Sequence, residues 1–98
     1  MRFIILPDST LGNLVVIATE WETGRPVSFG NVLVLGEYRG AMTDETGVGA
    51  VKALTPGLKR VKLVALGRLA VTDSVRIVSG STTTIRVRLK ADPVKVEP

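Results

Sequence analysis

Turn-forming clusters recur along this chain at intervals too short for helices: 7-PDSTLGN-13, 23-TGRP-26, 36-GEYRG-40, 44-DETG-47, 56-PG-57, 66-LGR-68 and 79-SGS-81. Between them lie short runs that are apolar or that alternate apolar with polar residues. Punctuation this frequent and this even predicts an all-β sandwich or barrel. No run sustains an apolar stripe of period 3.6 long enough for a helix.

The alternation assigns faces. In 82-TTTIRVRLK-90, Thr83, Ile85, Val87 and Leu89 share one side and Thr84, Arg86, Arg88 and Lys90 the other, so the strand should bury the first set and wet the second. By the same parity Val61, Leu63 and Ala65 point inward from 58-LKRVKLVA-65, with Arg60 and Lys62 outward. In 70-AVTDSVRIV-78 the inward set is Val71, Val75 and Ile77. Asp73 shares their parity and is placed at a bend or bulge, since an unpaired buried carboxylate is too costly. Earlier strands are expected at 13-NLVVIATE-20, 31-NVLVLG-36, 39-RGAMT-43 and 48-VGAVKAL-54. The run Val32 to Leu35 is apolar on both parities, which predicts a central or doubly covered strand.

Ninety-eight residues make one domain. Its apolar share is weighted to valine and leucine with few aromatics, a composition that favours pleated surfaces. The chain has neither cysteine nor histidine. That rules out disulfides and thiol redox chemistry. It also removes the commonest zinc ligand and the usual general base, so Ser-His-Asp and Cys-His catalysis cannot be assembled within one chain. The formal charge of +4 is scattered, with no basic run of the length that marks a polyanion-binding motif. No apolar run approaches the ~18 residues of a membrane-spanning helix. Residues 1–12 are read as an extension or extra strand, with 2-RFIIL-6 stopped by Pro7, and 91-ADPVKVEP-98 as a tail or linker.

The order of these pieces resembles the carboxypeptidase regulatory-like domain. The motifs that carry the resemblance are 23-TGRPVSFGNVLVLG-36, 40-GAMTDETG-47, 54-LTPG-57, a strand ending 65-ALG-67 and a last strand ending in Leu89. The family pattern is T-G-x-P-L-x-G-A-x-V-x-V-x-G, then G-A-x-T-D-E-x-G-x-F, then L-x-P-G-x-Y, and the likeness covers about residues 13 to 90. It implies an antiparallel Greek-key β-sandwich of about seven strands, transthyretin-like, acting as an accessory, spacer or interaction domain of exported peptidases, surface proteins or transporters. Several positions differ. Gly49 stands where the family has a core phenylalanine, Lys59 and Arg68 where it has tyrosines, Phe29 where glycine is common and Gly30 where alanine is. Phe29 is expected to supply the aromatic volume missing at Gly49.

Candidate chemistry is weighed against plainer roles. Asp44 and Glu45 are adjacent in sequence, so they diverge, whereas paired-carboxylate catalysis needs two groups converging across about 5 to 9.5 Å. A calcium loop would need more ligands than 44-DETG-47 offers. Asp44 is therefore read as the acceptor of a turn, with Gly47 in the left-handed position. No catalytic residue, cofactor or metal site is assigned. The residues singled out for ligand or partner contact are Trp21 and Tyr38, as companion loop aromatics, and Arg86 and Arg88, as part of a basic stripe that Arg60 and Lys62 would widen if their strands were neighbours. The expected partner is a protein or parent polypeptide in an extracellular, cell-surface or periplasmic setting; neither nucleic acid nor membrane insertion is expected. Two alternatives are a carbohydrate-binding module using the loop aromatics and a self-assembling subunit pairing through 2-RFIIL-6.

Overall fold

A computed structural model describes residues 10–93. Seven strands form two sheets: β1 (Gly12–Glu20), β2 (Asn31–Val34), β3 (Arg39–Met42), β4 (Val48–Leu54), β5 (Gly57–Val64), β6 (Val71–Ile77) and β7 (Thr82–Leu89). One sheet has the order β4-β1-β7 and the other β3-β2-β5-β6. Every strand expected from alternation within the described residues is present, displaced at its ends by no more than two residues. The expected pairing of 2-RFIIL-6 lies outside the described residues.

Alternation explains the core. Leu14, Val16 and Ala18 of β1, Val32 and Val34 of β2, Val61 and Leu63 of β5, Val75 and Ile77 of β6, and Val87 and Leu89 of β7 are all buried. Ile85 is partly buried against them. These strands bury alternate side chains, and the two inner faces meet as a single apolar layer. One buried polar side chain is placed in it. Thr43 is 1% exposed; its hydroxyl accepts from Gly30 N at 2.8 Å and donates to Val27 O at 2.7 Å. That tie joins the β3–β4 connection to the loop before β2.

Pairing is antiparallel except between β1 and β7, which run parallel from Asn13↔Thr82 to Glu20↔Leu89. A wholly antiparallel sandwich is therefore corrected in one pair. Parity assigns faces but is blind to direction, and two strands joined only through the rest of the domain are free to pair either way. A bulge interrupts β1 and β4, where Gly12↔Leu54 and Leu14↔Val51 leave an extra residue on β4. Ala53 absorbs it at φ 61°, and its N–H donates to Asn13 Oδ1 at 3.1 Å.

Two side-chain expectations change and a third is narrowed to one of its two readings. Asp73 pairs with Val61 in an unbroken β5–β6 register and is exposed, so it sits within the strand rather than at a bulge. Its strand is the sheet's edge, and inward parity there does not guarantee cover. Phe29 is 63% exposed at φ 59° and does not fill space at Gly49. A Cβ on Gly49 would stand 3.4 Å from Met42 O and 3.5 Å from Thr43 Cγ2, in ordinary contact with the end of β3 and the residue after it. Finally, β2 is central in its sheet but covered on one face only, leaving Leu33 and Leu35 exposed.

Candidate interaction surface

β1 ends in a tight reversal. Glu20 N donates to Arg25 O at 2.7 Å, Gly24 N to Glu20 O at 2.9 Å, and Thr23 Oγ1 to Glu20 Oε1 at 2.6 Å. Gly24 takes φ 76°, a conformation a Cβ would penalise. Trp21 N donates to Leu89 O at 2.9 Å, which anchors the loop to the end of β7. The indole then lies beside the cations of that strand, 4.8 Å from Lys90 Nζ and 5.5 Å from Arg88 Cζ measured at the ring centroid, and remains 52% exposed.

Behind this loop Arg68 gathers the acids. Its guanidinium meets Glu22 Oε1 at 2.6 Å and Glu20 Oε2 at 2.9 Å, and it donates to Leu89 O at 3.3 Å. Glu22 Oε2 accepts from Ala91 N at 2.9 Å. That backbone bond, with the Arg68 contact next in weight, holds the Glu22 carboxyl below the ordinary glutamate range. The Glu22 hydrogen bond likewise raises Arg68. Ala91 bridges to Arg68, and Asp92 N donates to Gly67 O, so the start of the segment read as a tail is bonded to the β5–β6 connection.

A cleft of about 350 Å³ opens on the outer face next to Trp21, floored by Ile17 and Thr19 and flanked by Thr23, Arg86 and Arg88. The structure thus brings together three of the four residues expected to make contacts: Trp21, Arg86 and Arg88. Tyr38 is not among them. It lies in the β2–β3 loop beside Glu37, which bridges to Lys59 at 2.5 Å. Lys59 Nζ also donates to Thr55 Oγ1, in the turn that follows Leu54. Leu54 pairs with Gly12, at the start of β1, whereas Trp21 follows its end. At about 3.3 Å per residue, β1 separates the two ends by roughly 25 Å, so the two aromatics cannot share one small ligand. The basic rows are also divided. Arg86 and Arg88 are on β7 of the three-stranded sheet, Arg60 and Lys62 on β5 of the other, so they do not merge into one stripe.

Asp44 has the turn role expected of it. Its Oδ1 accepts from Thr46 N at 2.8 Å, Thr46 Oγ1 at 2.6 Å and Val48 N at 3.1 Å. These bonds, the Thr46 hydroxyl foremost, depress its carboxyl below the usual aspartate value. Gly47 follows at φ 80°, and a Cβ there would stand 2.5 Å from Ala18 O.

Two features escape sequence reasoning. Arg68 registers in the sequence only as a departure from tyrosine, and nothing local links it to acids 46 residues away. The second is a set of exposed apolar side chains around Asn31 on the outer face of the four-stranded sheet. Met42 and Val64 both pair with Asn31, and Leu33 is the next outward residue of β2. Met42 is 58% and Leu33 42% exposed. The signal was present in Val32 to Leu35, apolar on both parities, but burial and exposure read alike there.

No family model and no curated protein sequence matches the chain. Solved structures do. The Bacillus anthracis TIE protein superposes with a TM-score of 0.69 at 15% identity, over 84% of this chain and 17% of that one. GBS52, the minor pilin of Streptococcus agalactiae, gives 0.68 at 16% over 91% and 48%. A cohesin–X-dockerin complex from Acetivibrio cellulolyticus gives 0.58 at 20% over 76% and 51%. The chain spans about half or less of each of these chains. The class they define is a β-sandwich domain, and at such identities the likeness is one of fold.

Proposed function

We propose that this chain is a non-catalytic interaction module, a spacer or protein-binding domain of an exported or cell-surface protein, of the carboxypeptidase regulatory-like, transthyretin-like kind. Residues 13–90 form the module, and 1–12 and 91–98 flank it. The observation that carries this reading is the exposure of Met42, Leu33 and Val64 around Asn31 on the outer face of the four-stranded sheet. Apolar side chains left exposed on one outer face gain by meeting another protein surface. The turns that carry the family resemblance support the finer assignment: Gly24 and Gly47 both take positive φ, and Asp44 caps its turn. Two of the structural neighbours, a minor pilin and a member of a cohesin–X-dockerin complex, fit the same kind of role.

The test places a photo-cross-linking residue at Leu33 in the whole protein within the cells that make it, with Lys52 on the other sheet as the control position. A discrete adduct from position 33 alone is expected, in the extracytoplasmic fraction. Absence of any adduct there, or turnover in a panel of hydrolase substrates, would overturn the reading.

A carbohydrate role has one observation in its favour, the Trp21 ring beside a cleft. It now rests on Trp21 without Tyr38. Titration with neutral polysaccharides while following Trp21 emission checks it, and a flat response would remove it. Assembly through 2-RFIIL-6 is checked by light scattering of the full chain against one beginning at Leu11; equal masses would remove that reading.

A further inference from the structure

Among the described residues, β7 leaves part of one long edge without a partner strand. Leu89 O accepts from Trp21 N and Ser81 O from Asn13 N, so the odd-numbered residues turn their backbone groups toward β1. Backbone groups alternate sides along a strand. Thr84, Arg86 and Arg88 therefore direct N–H and C=O outward, where the sheet order places no further strand. The edge is closed at both ends: Lys90 O accepts from Leu69 N, and Thr83 Oγ1 donates to Arg76 O at 3.3 Å. What stays open is a short window between two clamps.

The side chains over that window have one sign. Arg86 and Arg88 are exposed, and neither forms an ion pair among the described residues. Lys90 adds a third cation just beyond them. Glu20 and Glu22 also line the cleft, but both are engaged by Arg68, so one net negative charge stands there against the three cations Arg86, Arg88 and Lys90. The cleft beside Trp21 opens at the same end of the strand.

We propose that the β7 edge, with the Trp21 cleft at its end, takes up an extended acidic segment of a partner protein as an added strand. Its backbone would pair with Thr84, Arg86 and Arg88. Its carboxylates, at alternate positions, would face the two guanidiniums, because directly opposed side chains on one sheet face are neighbours. A side chain at the end of the segment would enter the cleft against Trp21. Charges on an edge strand also deter unwanted pairing. Deterrence, however, needs no shaped cleft and no aromatic wall, and this edge has both. The inference rests on the protein-binding reading above and adds the chemistry of the partner.

The experiment titrates the full chain with a synthetic octapeptide alternating valine and glutamate, following Trp21 emission, at low and raised salt. The comparison ligands are its glutamine counterpart, a version methylated at alternate backbone nitrogens, and polygalacturonate. Saturable binding is expected that weakens with salt. Both peptide variants should bind about tenfold more weakly or worse, and so should the acidic peptide with the R86E/R88E double variant, the scale expected for losing or reversing two charge contacts. K62E, on the other sheet, should leave binding unchanged. Equal response to the glutamine peptide, no saturation, or polygalacturonate binding that outlasts R86E/R88E would overturn the proposal. So would increased mass of an R86T/R88T variant in light scattering without any peptide response, since the arginines would then be deterrents only. An adduct at position 33 that persists in R86E/R88E while no acidic peptide binds would sink this inference and leave the protein-binding reading standing.

Discussion

The ammonium of Lys90 lies 4.8 Å from the centroid of the Trp21 ring, so the last residue on the outer face of β7's line and the first residue beyond β1 hold each other at one end of the sandwich. Arg88 shares the ring at 5.5 Å. Exposed contacts of this kind contribute about 0.5–1 kcal/mol. Lys90→Met, which keeps the aliphatic stem, should lower unfolding free energy by about that amount in urea titration, with an altered Trp21 emission intensity. An unchanged midpoint would mean that the cation adds nothing to the ring's position.

Asp44 ties its turn together through three donors to one oxygen. Its folded-state carboxyl titrates below the ordinary aspartate value of 3.8. The unfolded chain therefore binds the proton first as pH falls. The stabilisation is fully present above the ordinary value and is lost as pH drops through the lower folded one. Asp44→Asn should melt several degrees below the parent at pH 7, and the gap should close in melts below pH 4. A gap that stays constant with pH would show that the charge is irrelevant to the turn.

Thr43 is buried with its hydroxyl between Gly30 N and Val27 O. Thr43→Val preserves shape and strands both partners, a loss of roughly 3 kcal/mol for two buried unsatisfied groups. Thr43→Ser keeps the bonds and should cost about 1 kcal/mol for the lost methyl. Chemical denaturation of the two variants separates the hydrogen bonds from the packing; a loss in Thr43→Ser with none in Thr43→Val would place the effect in packing alone.

Phe29 and Ala53 both hold positive φ, at 59° and 61°, which L side chains adopt at a cost. Glycine at either position relieves it, so Phe29→Gly and Ala53→Gly should each stabilise by about 0.5–1 kcal/mol. Phe29 lies in the turn before β2 and Ala53 in β4, so the two effects should add. A loss above 2 kcal/mol at position 29 would reinstate Phe29 as part of the core.

Strand positions were readable because one inner face had to be apolar and the period of two exposes that demand directly, as in Ile85, Val87 and Leu89. Turns were readable where a residue type meets a backbone need, as at Gly24, Asp44 and Gly47. Parity failed where cover is decided from outside the strand. Asp73 has inward parity at an edge and is wet. Leu33 is apolar in a central strand with nothing over it. Of the candidate site, the residue types at Trp21, Arg86 and Arg88 stood out in the sequence, while the cleft between them and the separation from Tyr38 did not.

The sequence by itself determined the all-β class, the seven strands and most of the side chains of β5, β6 and β7 that enter the core, because burial and turn chemistry act over a few neighbouring residues. Only the tertiary structure decided that β7 lies parallel to β1, that Arg68 joins Glu20 and Glu22, and that the basic rows of β5 and β7 belong to different sheets. Those relations depend on which strands become neighbours. That choice is made by the packing of the whole chain, and no local period records it.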